Sequence, residues 1–157
     1  MKNKVVVPLA FSALLGIAFS ACAGQAEEGI GVGAMVGDPT GFSLKRWLDE
    51  SRAIDAAAAW STSDDDAFQL HADYLINNFS LLESKDVRAR SALYYGFGGR
   101  IKFSDDTRIG ARFPLGVDIY FAQNPIDFFV EVAPIFDLIP SVRGDINFSV
   151  GFRVFLK

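Results

Sequence analysis

The sequence predicts an all-β chain: one closed, antiparallel, up-and-down transmembrane β-barrel of eight strands. Three observations carry this. Apolar residues recur at every second position over segment after segment. The strongest segments run about nine to twelve residues, close to the ~9–11 that a tilted strand needs to cross a hydrocarbon layer. Strands of an ordinary sheet are nearer five or six. No long helical pattern intervenes to cover a one-sided sheet, so the sheet is expected to close on itself. In lipid an open edge would leave backbone groups unpaired, which makes closure obligatory.

The chain opens with MKNKVVVPLAFSALLGIAFSACAG. Lys2 and Lys4 precede an apolar run from Val5 to Phe19, and the small residues Ala21, Cys22, Ala23 and Gly24 follow. This is the layout of a secretory signal peptide, residues 1–23, leaving a single barrel domain over residues 24–157. The run is short for a membrane-spanning anchor, and Glu27 and Glu28 follow closely. Gln25-Ala26 offers a second cleavage site. Phe19-Ser20-Ala21-Cys22 also matches a lipobox, in which Cys22 would carry lipid. Cys22 is the only cysteine, which excludes an intrachain disulfide. The net charge of −4 becomes −6 once Lys2 and Lys4 leave with the signal. Nucleic acid is a poor partner for so acidic a chain.

Eight segments follow in order. Gly29–Val36 carries Ile30, Val32, Ala34 and Val36 on one face and glycines on the other, and "GDPTG" breaks it. Phe42–Leu48 sets Phe42 and Leu44 against Ser43 and Lys45, ending at "DESR". Ala53–Trp60 alternates Ile54, Ala56, Ala58 and Trp60, before the acidic "STSDDDA". Phe68–Ile76 opposes Phe68, Leu70, Ala72, Tyr74 and Ile76 to Gln69, His71 and Asp73. The longest connection, Asn77–Ser91, comes next. Ala92–Phe103 opposes Leu93, Tyr95, Phe97, Ile101 and Phe103 to Tyr94, Gly96, Gly98, Arg100 and Lys102.

After "SDDT", Arg108–Phe121 runs with Arg108, Gly110, Arg112, Gly116 and Asp118 on its polar face. "AQNP" turns the chain into Asp127–Leu138, with Glu131 and Asp137 opposite Phe128, Val130, Val132, Phe136 and Leu138. "PSVRGD" leads into Ile146–Leu156. In that closing "SVGFRVFLK", Val150, Phe152, Val154 and Leu156 alternate with Ser149, Gly151, Arg153 and Phe155. The branched and aromatic face is read as meeting lipid, and the small or charged face as lining a lumen. Eight strands enclose a space that side chains fill, so no open pore is expected.

Ser149, Gly151, Val154 and Leu156 resemble the C-terminal assembly signal of outer-membrane β-barrel proteins, with Leu156 where that signal has an aromatic residue. Together with the signal peptide and the alternation, the chain resembles small eight-stranded barrels of the OmpA/OmpX type. "GDPTGFSLKRWL", "YYGFGGRIKF", "ARFPLGV" and "EVAPIFDLIP" resemble an uncharacterised family of predicted outer-membrane barrels of Gram-negative bacteria. These resemblances imply a location and a fold, with outer-membrane lipid and the barrel-assembly machinery as partners and a monomeric state. They bring no enzymatic activity and no cofactor.

The inward face gathers Arg100, Lys102, Arg108, Arg112 and Arg153 with Asp73, Asp118, Glu131 and Asp137. Charges in a narrow lumen need compensation, so a paired plug is expected rather than a channel. Placing Ile139 opposite Asp145 across "PSVRGD" sets Glu131 opposite Arg153, the pair expected here. Pro114 and Pro134 fall within about one residue of each other when the sixth and seventh strands are folded about "AQNP". Proline donates no ladder bond, so a bulge or a weakened ladder near the barrel rim is expected there. Trp47, Trp60, Tyr74, Tyr95, Tyr120 and Phe121 are candidates for interfacial girdles, with Trp47 and Tyr120 inward by parity.

His71, the only histidine, shares its face with Asp73. A lipid-modifying enzyme would need a serine such as Ser43 or Ser61 beside them. A third possibility inverts the alternation: a soluble or Cys22-tethered periplasmic barrel with its apolar face around a hydrophobic ligand. No metal-ligand spacing or phosphate-binding motif is present, and the GxGxxG-like glycines of "GIGVGAMVG" lie on a strand pattern with no helix after them.

Overall fold

The computed structural model describes residues 29–61, 67–81, 89–121 and 123–156. The signal peptide with Cys22, the acidic stretch 62–66 and residues 82–88 lie outside the described residues. Nine strands form: β1 (Ile30–Asp38), β2 (Thr40–Trp47), β3 (Arg52–Ser61), β4 (Ala67–Asn78), β5 (Ala89–Phe103), β6 (Arg108–Arg112), β7 (Leu115–Phe121), β8 (Ile126–Ile139) and β9 (Arg143–Leu156). Consecutive strands pair antiparallel, except β6 and β7, which do not pair with each other.

Strands β6 and β7 are two halves of one stave. Both pair with β5 on one side and β8 on the other. β9 pairs back to β1, from Ile30↔Leu156 to Asp38↔Phe148. The sheet is therefore a closed ring of eight staves, as the alternation requires.

The ring is sheared. Stepping straight across the strands from Val32 leads through Leu44, Ala56, Ala72, Gly99, Ala111 and Phe136 to Gly144. Gly144 lies beyond the last β1–β9 partners, Asp38↔Phe148. Extending that register, closure staggers the ends by about ten residues, the price of tilting strands into a barrel. The β8–β9 hairpin consequently stands proud of the β1–β2 turn.

Parity sorts the faces. The outward positions of β4 through β9 carry no charged side chain. Those of β1 to β3 carry charge only at Arg46 and Arg52, and at Asp38 on the strand end, whose carboxylate accepts from inward Ser61. Large apolar side chains such as Phe97 (59% exposed) and Phe128 (48%) stand on this surface. The inverted, lipocalin-like arrangement is thus not what forms: the apolar face is outside and the charged face inside.

The connection between β4 and β5 lies at the barrel end that also holds Ile30 and Leu156. Phe79, at the start of the connection, is partly buried in the mouth, where its ring stacks on Trp47 (centroids 6.2 Å apart) and tilts against Tyr120 (5.9 Å). Trp47 and Tyr120 point inward, as their parity requires, and form with Leu75, Tyr94 and Phe155 an apolar plug. Trp60 and Phe121 face outward near strand ends. Tyr95 also faces outward but sits near the middle of β5, so it is no rim residue.

The expected proline irregularity is present but misplaced by the rim expectation. The stave breaks at Phe113–Pro114, and Pro114 lies opposite Gly96, halfway along β5. A register shift between Ile109 and Gly110 adds a bulge nearer the loop end. Pro134 stays inside β8.

Candidate functional site

Among the described residues, chemistry-bearing side chains converge in the lumen. Five basic side chains (Lys45, Arg100, Lys102, Arg112, Arg153) and six acidic ones (Asp55, Asp73, Asp118, Asp127, Glu131, Asp137) are buried there. Alternation on eight staves aims them at one axis, and the narrow ring forces them into contact.

Glycine makes the room. Inward Gly31, Gly116 and Gly151 lie directly opposite Phe155, Tyr94 and Phe129 on the neighbouring strand. A β-carbon at Gly151 would meet the Phe129 ring at 2.5 Å, and one at Gly31 the Phe155 ring at 2.9 Å. Gly98 and Gly110 stand likewise opposite Asp73 and Asp137. An inward side chain of any size at these points would collide with its cross-strand partner.

Just above the apolar plug, Lys45 is paired with Asp118 and donates to Tyr120 Oη at 3.0 Å and Asn77 Oδ1 at 3.3 Å. Tyr120 donates to Asp118 at 2.7 Å. Arg153 spans three carboxylates: Asp118 at 2.9 Å, Asp127 at 3.1 Å and Asp55 at 3.3 Å. Its guanidinium lies 4.2 Å from the Phe129 ring centroid. Higher, Arg112 is clamped between Asp73 and Glu131, and Tyr94 Oη donates to Glu131 at 2.9 Å. Toward the loop end Arg100 bonds Asp137 and Asp145, each at 2.7 Å, and Gln69 at 3.3 Å. Lys102 donates to Ser61 Oγ at 3.4 Å.

Ion pairs of this kind are weak evidence for stability, because desolvation offsets much of the attraction. Their effect is on shape and access. Arg100, Arg112 and Arg153 are at most 1% exposed, so no solvent-sized path passes them.

Of the nine charged residues read onto the inward face, Asp73, Arg100, Lys102, Arg112, Asp118, Glu131, Asp137 and Arg153 are buried there, whereas Arg108, at the start of β6, is only half-buried. The expected Glu131–Arg153 pair does not form. Glu131 lies opposite Ser149 and meets Arg112; Arg153 lies opposite Asp127. The register slips by four residues because "RGD" is strand, not turn: Arg143 pairs with Asp137, and Asp145 reaches Arg100. Lys45, Asp55 and Asp127 join the network although the sequence reading did not single them out. Period-two parity carried through the β2, β3 and β8 segments would have found all three.

Of the assembly-signal residues, Ser149 and Gly151 face the lumen and Val154 and Leu156 face outward. His71 Nδ1 lies 3.4 Å from Gln69 Nε2, Ser43 Oγ faces Asp55 at 3.4 Å, and Ser61 Oγ faces Asp38 at 2.6 Å. Outside the wall, in the β2–β3 turn, the Ser51 and Arg52 amides donate to Asp49 at 2.9 and 2.8 Å. The Ser51 amide first, and then the paired Arg52, hold the Asp49 carboxyl below its ordinary range.

No protein-family model matches the chain, and no curated protein matches it. A solved structure does: the crystal structure of the N-terminal β-barrel domain of Pseudomonas aeruginosa OprF. The similarity covers 81% of this chain and 95% of that one, with a TM-score of 0.57 and 13% identity. At that identity the likeness concerns the fold alone: this chain, too, is an all-β barrel.

Proposed function

We propose that this chain is a small outer-membrane β-barrel of a Gram-negative bacterium, exported by its signal peptide, with a structural, membrane-integrity or surface-contact role. The observation that carries this reading is the uncharged outward face of β4 through β9, set around a charge-paired, side-chain-filled lumen. Only lipid suits such an exterior, since soluble monomers rarely expose large contiguous apolar surface. The closed ring offers no edge for pairing, which favours a monomer. Bilayer lipid and the barrel-assembly machinery are its partners, the latter reading Ser149, Gly151, Val154 and Leu156. No cofactor and no catalytic step belong to this reading; the serines and His71 are taken up by polar contacts in the lumen wall.

The test is fractionation. The full chain is expressed with its signal, membranes are separated, and the outer-membrane fraction is run on a denaturing gel with and without boiling. A band that resists carbonate and shifts on boiling is expected; a soluble band with no shift overturns the reading. Purified protein in a planar bilayer is expected to carry no steady open-pore current.

A further inference from the structure

In an antiparallel ladder a residue turns its N–H and C=O to the same neighbouring strand. Gly96 N–H donates to the Pro114 carbonyl at 2.9 Å, so the Gly96 carbonyl faces a proline nitrogen that has no proton to return. One position along, Phe113 N–H donates to the Pro134 carbonyl at 3.0 Å, and the Phe113 carbonyl likewise faces a proline nitrogen. Both prolines thus occupy bonded-pair positions, the costliest places for them in a wall. The two orphaned carbonyls lie on either side of one stave, halfway along β5.

Directly behind this seam, the row Asp73–Gly98–Arg112 crosses the lumen face. Asp73 Oδ1 and Arg112 Nε are buried there without a hydrogen-bond partner. Among the described residues only Trp47 Nε1 shares that condition. Four polar groups with unused capacity therefore lie within two ladder rows of the break in the stave. Each such group is costly where water is excluded.

We propose that the barrel wall is hydrated through this seam: the β6/β7 stave parts locally from its neighbours at Pro114 and lets water reach Gly96, Phe113, Arg112 and Asp73 at mid-wall. Closed, the seam leaves four groups unsatisfied; opened, water satisfies all four. This rests on the wall lying in lipid, as proposed above.

Amide hydrogen exchange of the lipid-reconstituted full barrel tests it. The Gly96 and Phe113 amides are expected to exchange about tenfold or more faster than amides of Ala56 and Ala72 on the unbroken β3–β4 wall. Pro114→Ala, which returns a donor to Gly96, is expected to slow the Gly96 amide toward the control rate, and Pro134→Ala to do the same for Phe113. Equal protection of seam and control amides in a barrel that shifts on boiling overturns the inference and leaves the membrane reading standing. A chain that never inserts overturns both.

Discussion

At the scale of single residues, the lumen works by pairing bulk with glycine. The Tyr94 ring lies over Gly116, which frees its hydroxyl to reach Glu131. Gly116→Ala would push that ring aside and is expected to cost about 1–3 kcal/mol, the usual range for overpacking a tight interior. Gly144 is the matched control. Nothing lies within 4 Å of a β-carbon there, so Gly144→Ala is expected within about 0.5 kcal/mol of the parent. Urea unfolding in lipid vesicles reads both. Arg153 offers a second test. Arg153→Met leaves Asp55, Asp118 and Asp127 short of a cation and is expected to destabilise by about 3–5 kcal/mol in the same assay.

At the scale of elements, Phe79, just past the end of β4, acts as a stopper for the mouth it borders. Phe79 stacks on Trp47 and tilts against Tyr120, and the Arg90 guanidinium lies over its ring, 3.8 Å from the centroid. Phe79→Ala is expected to cost up to about 3–5 kcal/mol, toward the lower end because Phe79 is only partly buried. In a Trp60→Phe background, leaving Trp47 as the only tryptophan, its emission should shift to the red as water enters the mouth. An unshifted spectrum would mean that the plug holds without Phe79.

Elements also mark where sequence reading succeeded and failed. Strand existence was legible in all eight staves, because alternation is a local signal. The break at Pro114 was legible too, since proline withholds a donor wherever it sits. Its height was not, because height depends on how far neighbouring strands slide. The turn at "PSVRGD" misled for a related reason. Arg143 and Asp145 look like turn residues alone, but Arg143 lies opposite Asp137 in the ladder, Asp145 reaches Arg100, and the strand continues through both.

At the scale of the whole molecule, the exterior decides the environment. Val132 faces outward beside Leu115 and Phe148, near the level of the broken stave. Val132→Arg is expected to cost about 2–4 kcal/mol if lipid covers this face, and little if water does. Comparing unfolding of the two proteins in vesicles measures that difference and tests the outside of the barrel independently of fractionation.

Sequence alone determined the strand class, the expected closure and which side chains share a face of the wall; which of the two faces points outward was decided by the structure. It could do so because parity is a property of one strand and survives any even slip in register. The four-residue slip between β8 and β9 moved no side chain to the other face. Tertiary structure alone decided the partners. That Arg153 meets Asp127 rather than Glu131, that Arg112 takes Glu131, and that Pro114 falls at mid-wall all follow from the stagger between strands and the shear of the closed ring. Those are relations between segments distant in sequence, set by how the whole sheet closes rather than by any one strand.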